Sequence, residues 1–142
     1  MAIVSIMLPI RIFSVSKTPR GPLLELVETY KKYLKPFSKL EIIEVKSAEH
    51  LPTDRTTILL DERGKQMTSL VFAKWIGQFE DRGEPICFVI GGPFGMPAEV
   101  KAEARHTIAL SEMTLPHDQA KIILMEQLYR AFTILRGKTY HY

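Results

Sequence analysis

The sequence predicts a single α/β domain built on a mostly parallel sheet, spanning residues 1–142. Three observations carry that expectation. Short apolar and β-branched runs alternate with segments of helical periodicity. One run, Ile86 to Ile90, is apolar without interruption, as in a strand covered on both faces. The chain has 142 residues, 46% hydrophobic and 25% charged, the size and composition of one ordinary domain. No repeat, low-complexity tract or linker marks a second unit.

Ile3 to Phe13 is rich in isoleucine and reads as a first strand, with a loop after it. Pro22 opens a helix in which Leu23, Leu26, Val27, Tyr30, Tyr33 and Leu34 share one face, and Pro36 stops the run. Leu40 to Val45 alternates apolar residues with Glu41 and Glu44, a half-buried strand. Thr57 to Leu60 is a short strand expected to end at the polar loop Asp61-Glu62-Arg63-Gly64-Lys65. Thr68 is a natural N-cap for a helix through Phe72, Ile76 and Phe79, terminated by Gly83. After Ile86–Ile90 come the turn Gly91-Gly92-Pro93-Phe94-Gly95, a short helix from about Pro97 to Arg105, and a strand from Thr107 to Leu110. A final helix runs from about Pro116 to Arg136.

The apolar surface of that last helix is wide. Ala120, Leu124, Leu128, Ala131 and Leu135 form one stripe; Ile122, Met125, Tyr129 and Phe132 form another beside it. Packing on one sheet uses only the first. The second predicts a further partner, and a second subunit is the expectation, making the protein a homodimer through this helix.

Cys87 is the sole cysteine, so an internal disulfide is excluded and a reducing, cytoplasmic setting is expected. Its place inside an apolar strand marks it as core rather than nucleophile. No run approaches the roughly 18 apolar residues of a membrane span, and the N-terminal stretch lacks a basic n-region. Four scattered histidines with one cysteine form no zinc pattern, so no metal is expected. The chain also lacks the P-loop signature, the spaced glycines of dinucleotide binders and the nucleophile elbow of the α/β hydrolases.

Three loops are placed after strand ends: Leu60–Lys65, Gly91–Met96 and Ser111–His117. In an open parallel sheet the strand C-termini share one edge, where ligands bind. Gly91 and Gly92 lack a Cβ, so the backbone can turn sharply and approach a ligand.

The net charge is only +3, but its distribution is uneven. Seven bases (Arg11, Lys17, Arg20, Lys31, Lys32, Lys35 and Lys39) stand against two acids between Arg11 and Lys39, and the last thirteen residues hold Arg130, Arg136 and Lys138 with no acid. If the two ends converge they make a surface suited to a phosphate backbone. An ordinary solvated helix face accounts for the same charges.

Taken in order, Ile90-Gly91-Gly92-Pro93-x-Gly95, Leu115-Pro116-His117, Leu128-Tyr129-Arg130-Ala131 and Tyr140-His141 resemble the RlmH family of SPOUT-class RNA methyltransferases. Leu60-Asp61-Glu62-Arg63-Gly64-Lys65 with Ser69 and Phe72-Ala73 is similar to that family too, as is Tyr30-x-x-Tyr33-Leu34-Lys35, so the resemblance covers almost the whole chain. It implies a trefoil-knotted α/β fold, a homodimer, and the reaction of a 23S rRNA (pseudouridine(1915)-N(3))-methyltransferase using S-adenosyl-L-methionine. The cofactor contacts it implies are Leu60, Gly91, Gly92 and the segment Ser111, Glu112, Met113, Thr114, Leu115 and Pro116. The implied partner is 23S rRNA in the large subunit or the assembled ribosome. Methyl transfer needs acceptor and methyl held in line, and the imide N3 must lose a proton, for which His117, Arg130, Tyr140 and His141 are the candidates. Arg11, Lys17, Arg20, Lys31, Lys32 and Lys35 are the expected RNA contacts. In the family the tail helps form the substrate pocket; here it closes on Tyr142 rather than on a basic residue, and an aromatic ring there could stack on a base. A ribosome-associated binding module without catalysis, and a methyltransferase acting on a small molecule, remain alternatives.

Overall fold

The computed structural model describes residues 7–140. Nine elements follow in order: β1 (Leu8–Ser14), α1 (Pro22–Leu34), β2 (Ser38–Glu44), β3 (Thr56–Gln66), α2 (Ser69–Arg82), β4 (Ile86–Ile90), α3 (Ala98–Lys101), β5 (His106–Ala109) and α4 (His117–Leu135). The five strands form one sheet in the order β2-β1-β4-β3-β5, and every pairing is parallel. The expected α/β class and parallel sheet are therefore present, and the first strand begins at Leu8 within the described residues.

Alternation along the strands divides the core. Leu8, Ile10, Ile12, Ile58, Ile86, Phe88, Ile90 and Ile108 point to one face, where α1, α2 and α4 cover them. Leu59, Cys87 and Val89 point to the other, under a thinner cover that includes Leu51 and Val100. All five residues of β4 are buried, as its unbroken apolar run requires.

The caps of α2 are those the sequence carries. The Thr68 side chain accepts from the Val71 N–H, and Gly83 closes the helix in the left-handed conformation. Pro22 stands at the start of α1. The helix expected over Pro97–Arg105 is only the four residues of α3.

Two expectations are corrected. First, β3 does not end at Leu60. Leu60 and Lys65 both stand in register with Ile108, so Asp61–Gly64 form an excursion inside a longer strand that leaves β5 and returns to the same partner. The excursion comes back so tightly that a Cβ on Gly64 would lie 2.6 Å from the Ile108 carbonyl carbon. Polar loop composition hid the return. Second, the wide apolar surface of α4 does not require another subunit. Met125 and Phe132 are fully buried within this one chain. Helix α4 lies between α1 and α2, and its second stripe meets an aromatic edge in which Phe37 stacks on Phe132 at 5.7 Å and Tyr33 meets Tyr129 at 5.3 Å. Three helices fit on one face of the sheet, so the chain supplies the layer itself.

Candidate active site

The loops that follow β4 and β5 converge with the excursion of β3 on an open cleft of about 630 Å³. Its floor is apolar, from Leu59, Ile90, Leu110 and Ala120, and its walls are polar loops, a division common to small-molecule sites of this size. Of the residues expected at the cofactor, Leu60, Gly91, Gly92, Ser111, Met113, Thr114, Leu115 and Pro116 all line the cleft. Glu112 does not; it is exposed on the same loop.

Each wall is fixed by local chemistry. The Gly92 carbonyl accepts a 2.9 Å hydrogen bond from the Gly95 N–H, and Gly95 takes a φ of +74°, which closes a tight turn. A Cβ on Gly92 would run into the Val15 carbonyl oxygen, so glycine there lets the turn pack against the loop after β1. In the excursion, Asp61 accepts from the Arg63 N–H at 2.9 Å and from Lys101 Nζ at 3.0 Å. That backbone hydrogen bond and the Lys101 ammonium hold the Asp61 carboxyl below its ordinary range against the opposing effect of burial. Glu62 accepts from the Thr114 hydroxyl at 2.6 Å, tying the excursion to the loop after β5.

His117 lies in the cleft at the first turn of α4, with Nε2 3.4 Å from Asp118 Oδ1. That approach is an electrostatic contact rather than a hydrogen bond, and Asp118 Oδ1 is buried without a hydrogen-bond partner among the described residues. One turn into the helix, Lys121 is fully buried and donates to Thr18 Oγ1 at 2.8 Å and Glu44 Oε2 at 2.9 Å. Burial alone would raise the Glu44 carboxyl; hydrogen bonds from Lys121 and from the Thr18 N–H outweigh it and hold the carboxyl low. The triad pins the loop after β1 beneath the start of α4, and nothing in the sequence beyond a lysine on an apolar helix face announces it.

The other catalytic candidates stand elsewhere. Arg130 lies thirteen residues along α4 from His117, roughly 20 Å at 1.5 Å per residue. Its guanidinium meets Glu126 at 2.6 Å and lies over the Tyr140 ring at 4.9 Å. Tyr140 donates to Glu126 at 3.1 Å; burial first, and then the Glu126 charge, push its phenol up to about 12. At neutral pH that phenol is a hydrogen-bond donor, not a base. His141 lies outside the described residues. The expected catalytic set is thus divided, with His117 in the cleft and Arg130 and Tyr140 on the aromatic edge between α1 and α4.

The basic set also divides. Lys17, Arg20, Lys31, Lys32 and Lys35 are exposed. Arg11 is not: its side chain is only 14% exposed and is held by Glu41 at 2.6 Å and Asp54 at 3.0 Å, so it fastens the thinly covered face of the sheet instead of offering charge to solvent. Cys87 is buried, and burial pushes its thiol up to about 11, as expected for a core cysteine. Among the described residues no group of three His, Cys, Asp or Glu side chains could hold a metal ion, and no helix is long and apolar enough to cross a membrane.

A family model described as predicted SPOUT methyltransferase matches residues 8–141. The chain belongs to the SPOUT methyltransferase family. Among curated proteins it is similar to the ribosomal RNA large subunit methyltransferase H of Thermotoga neapolitana, 38% identical over 82% of this chain and 88% of that one. The protein of the same name from Anaeromyxobacter sp. (strain K) is 36% identical over 93% and 98%. Among solved structures, a probable methylase family protein from Haemophilus influenzae Rd KW20 has the same fold at 13% identity, with a TM-score of 0.65 over 96% of this chain and 72% of that chain. TrmJ from Z. mobilis ZM4 superposes with a TM-score of 0.53 at 14% identity, over 89% and 70%. For a SPOUT methyltransferase, the cleft where the β3 excursion meets the loops after β4 and β5 is the candidate site of the methyl donor.

Proposed function

We propose that this chain methylates N3 of a pseudouridine in the RNA of the large ribosomal subunit, with S-adenosyl-L-methionine as donor. The observation that carries the reading is the convergence of the β3 excursion and the two loops after β4 and β5 on one cleft, which His117 also lines. An apolar floor and loop backbone suit a nucleoside and its amino-acid tail, and a volume of about 630 Å³ accommodates them. When bound, the donor supplies a methyl group activated by a sulfonium.

The chain's own work is positioning and proton handling. The Gly92–Gly95 turn and the loop 111–116 fix the donor's place, and the Asp61 and Glu62 contacts hold the facing wall. His117, an imidazole lining the cleft, is assigned to accept the imide proton. The exposed Lys17, Arg20, Lys31, Lys32 and Lys35 are assigned to the RNA backbone. Arg130 and Tyr140 are too far from the cleft of their own chain to act there. The homodimer is therefore proposed on different grounds from the apolar stripe: a second copy would bring its Arg130 and Tyr140 to the cleft of the first. A ribosomal substrate places the reaction in the cytoplasm.

Labelled methyl transfer to ribosomes tests the reading directly. Incorporation is expected into large subunits carrying the target pseudouridine and not into subunits that lack it. Equal incorporation into both, or none into either, would overturn it.

A further inference from the structure

Among the described residues, the two most exposed large apolar side chains both stand on loops of the cleft. Phe94 is fully exposed and Met113 is 76% exposed. Phe94 sits at the tip of the Gly92–Gly95 turn, whose hydrogen bond and left-handed Gly95 leave its backbone little freedom, and Pro93 and Gly95 on either side line the cleft. A rigid turn thus presents an aromatic ring to water at the mouth of the site. Across the cleft, Arg63 carries a side chain 86% exposed.

We propose that Phe94 is a platform on which a nucleobase of the substrate RNA stacks as it enters the cleft. This rests on the reading that the substrate is RNA. One ring and one thioether are far too little apolar area for a stable protein interface, which needs on the order of 1,000 Å². A single base, by contrast, is covered by one aromatic face, and aromatic stacking together with cationic side chains lining the same cleft is the combination that holds single-stranded nucleic acid. Because the ring is fully exposed, its loss leaves the core intact. Phe94 holds a base of the RNA at the mouth of the cleft and takes no part in the proton or methyl transfer.

The test compares F94A, F94L, F94Y and F94W with the parent, using a ribosomal RNA fragment that contains the target pseudouridine. Binding is read by filter retention without donor, and KM and kcat for methyl transfer are read on ribosomes. F94A and F94L are expected to bind the RNA about tenfold more weakly and to raise KM for ribosomes with kcat nearly unchanged, while F94Y and F94W restore parental values. Melting temperature and donor affinity by calorimetry should not move. Parental RNA binding by F94A would overturn the proposal, as would full rescue by leucine, a change confined to donor affinity, or a shift in sedimentation that made Phe94 a contact between copies. Failure of the parent to methylate ribosomes would instead defeat the functional reading, and Phe94 would still be judged by RNA binding.

Discussion

Lys121 is the residue whose surroundings most constrain its replacement. A fully buried ammonium with two hydrogen-bonded partners is tolerable, and removing it leaves the buried Thr18 hydroxyl and the partly exposed Glu44 carboxylate without their donor. Lys121→Met is expected to destabilise the protein by roughly 1–3 kcal/mol in chemical denaturation. The pH dependence has a definite sign. The Glu44 carboxyl is held low in the folded state, so its contribution is present above the ordinary glutamate range and is lost as pH falls through the folded value. The parent should therefore lose stability on acidification in a component that is smaller in Lys121→Met, where only the Thr18 hydrogen bonds still hold the carboxyl low. Cys87 gives a simpler expectation: with its thiol buried and raised, a thiol reagent at pH 8 should label it only as fast as the protein unfolds. The inertness of Cys87 was legible from its neighbours in an apolar run. The Lys121 triad was not, because its partners Thr18 and Glu44 are 103 and 77 residues away and polar residues at such separations carry no mark of their pairing.

Elements whose ends carry their own chemistry were legible; those defined by distant contacts were not. Thr68 and Gly83 bound α2 from within, and Pro22 opens α1. The true extent of β3 depends on the return of Lys65 to Ile108, a contact with a strand more than forty residues later, so local composition shows only a polar loop. Glycine replacements separate these cases. Gly64→Ala would press a methyl group onto the Ile108 backbone and Gly92→Ala would press one onto the Val15 carbonyl, whereas at Gly91 the nearest atom lies 3.8 Å away. Gly64→Ala and Gly92→Ala are expected to weaken donor binding at least tenfold by calorimetry and to lower stability by roughly 1–3 kcal/mol. Gly91→Ala should fall well short of both. Comparable losses at all three positions would mean that backbone freedom, rather than close approach, is what the glycines supply.

At the scale of the whole molecule the sequence yielded the fold class and the edge on which the loops gather, because alternation of strands and helices fixes both. It misled on α4, since a wide apolar face is the same in sequence whether α1 or another subunit covers it. Charge was legible as composition but not as availability: Arg11 reads as one of a basic series, yet two carboxylates occupy it. The exposed lysines offer a separate test. Replacing Lys31, Lys32 and Lys35 together by alanine should weaken ribosome binding and flatten its salt dependence by about one unit of slope for each phosphate those lysines neutralise, with donor affinity unchanged. A salt slope equal to the parent's would make the α1 lysines an ordinary solvated face. Sedimentation at micromolar concentration tests the homodimer; a monomer active on ribosomes would mean that Arg130 and Tyr140 have no part in the reaction.

The strand order also sets a schedule. Strand β1 stands inside the sheet, and although β2 can join it early, its other edge stays open until Ile86 arrives to pair with Ile10. Strand β3 is flanked by β4 and β5, both made after it, and the cover over the apolar face is finished only when α4 has been synthesised. During translation, then, the emerging chain holds open edges and bare isoleucines for most of its length. The cleft draws on β3, β4, β5 and the first turn of α4, so it comes into being with the last quarter of the chain. A polypeptide interrupted before that point is a sheet in search of its edge, with no partial methyltransferase in it.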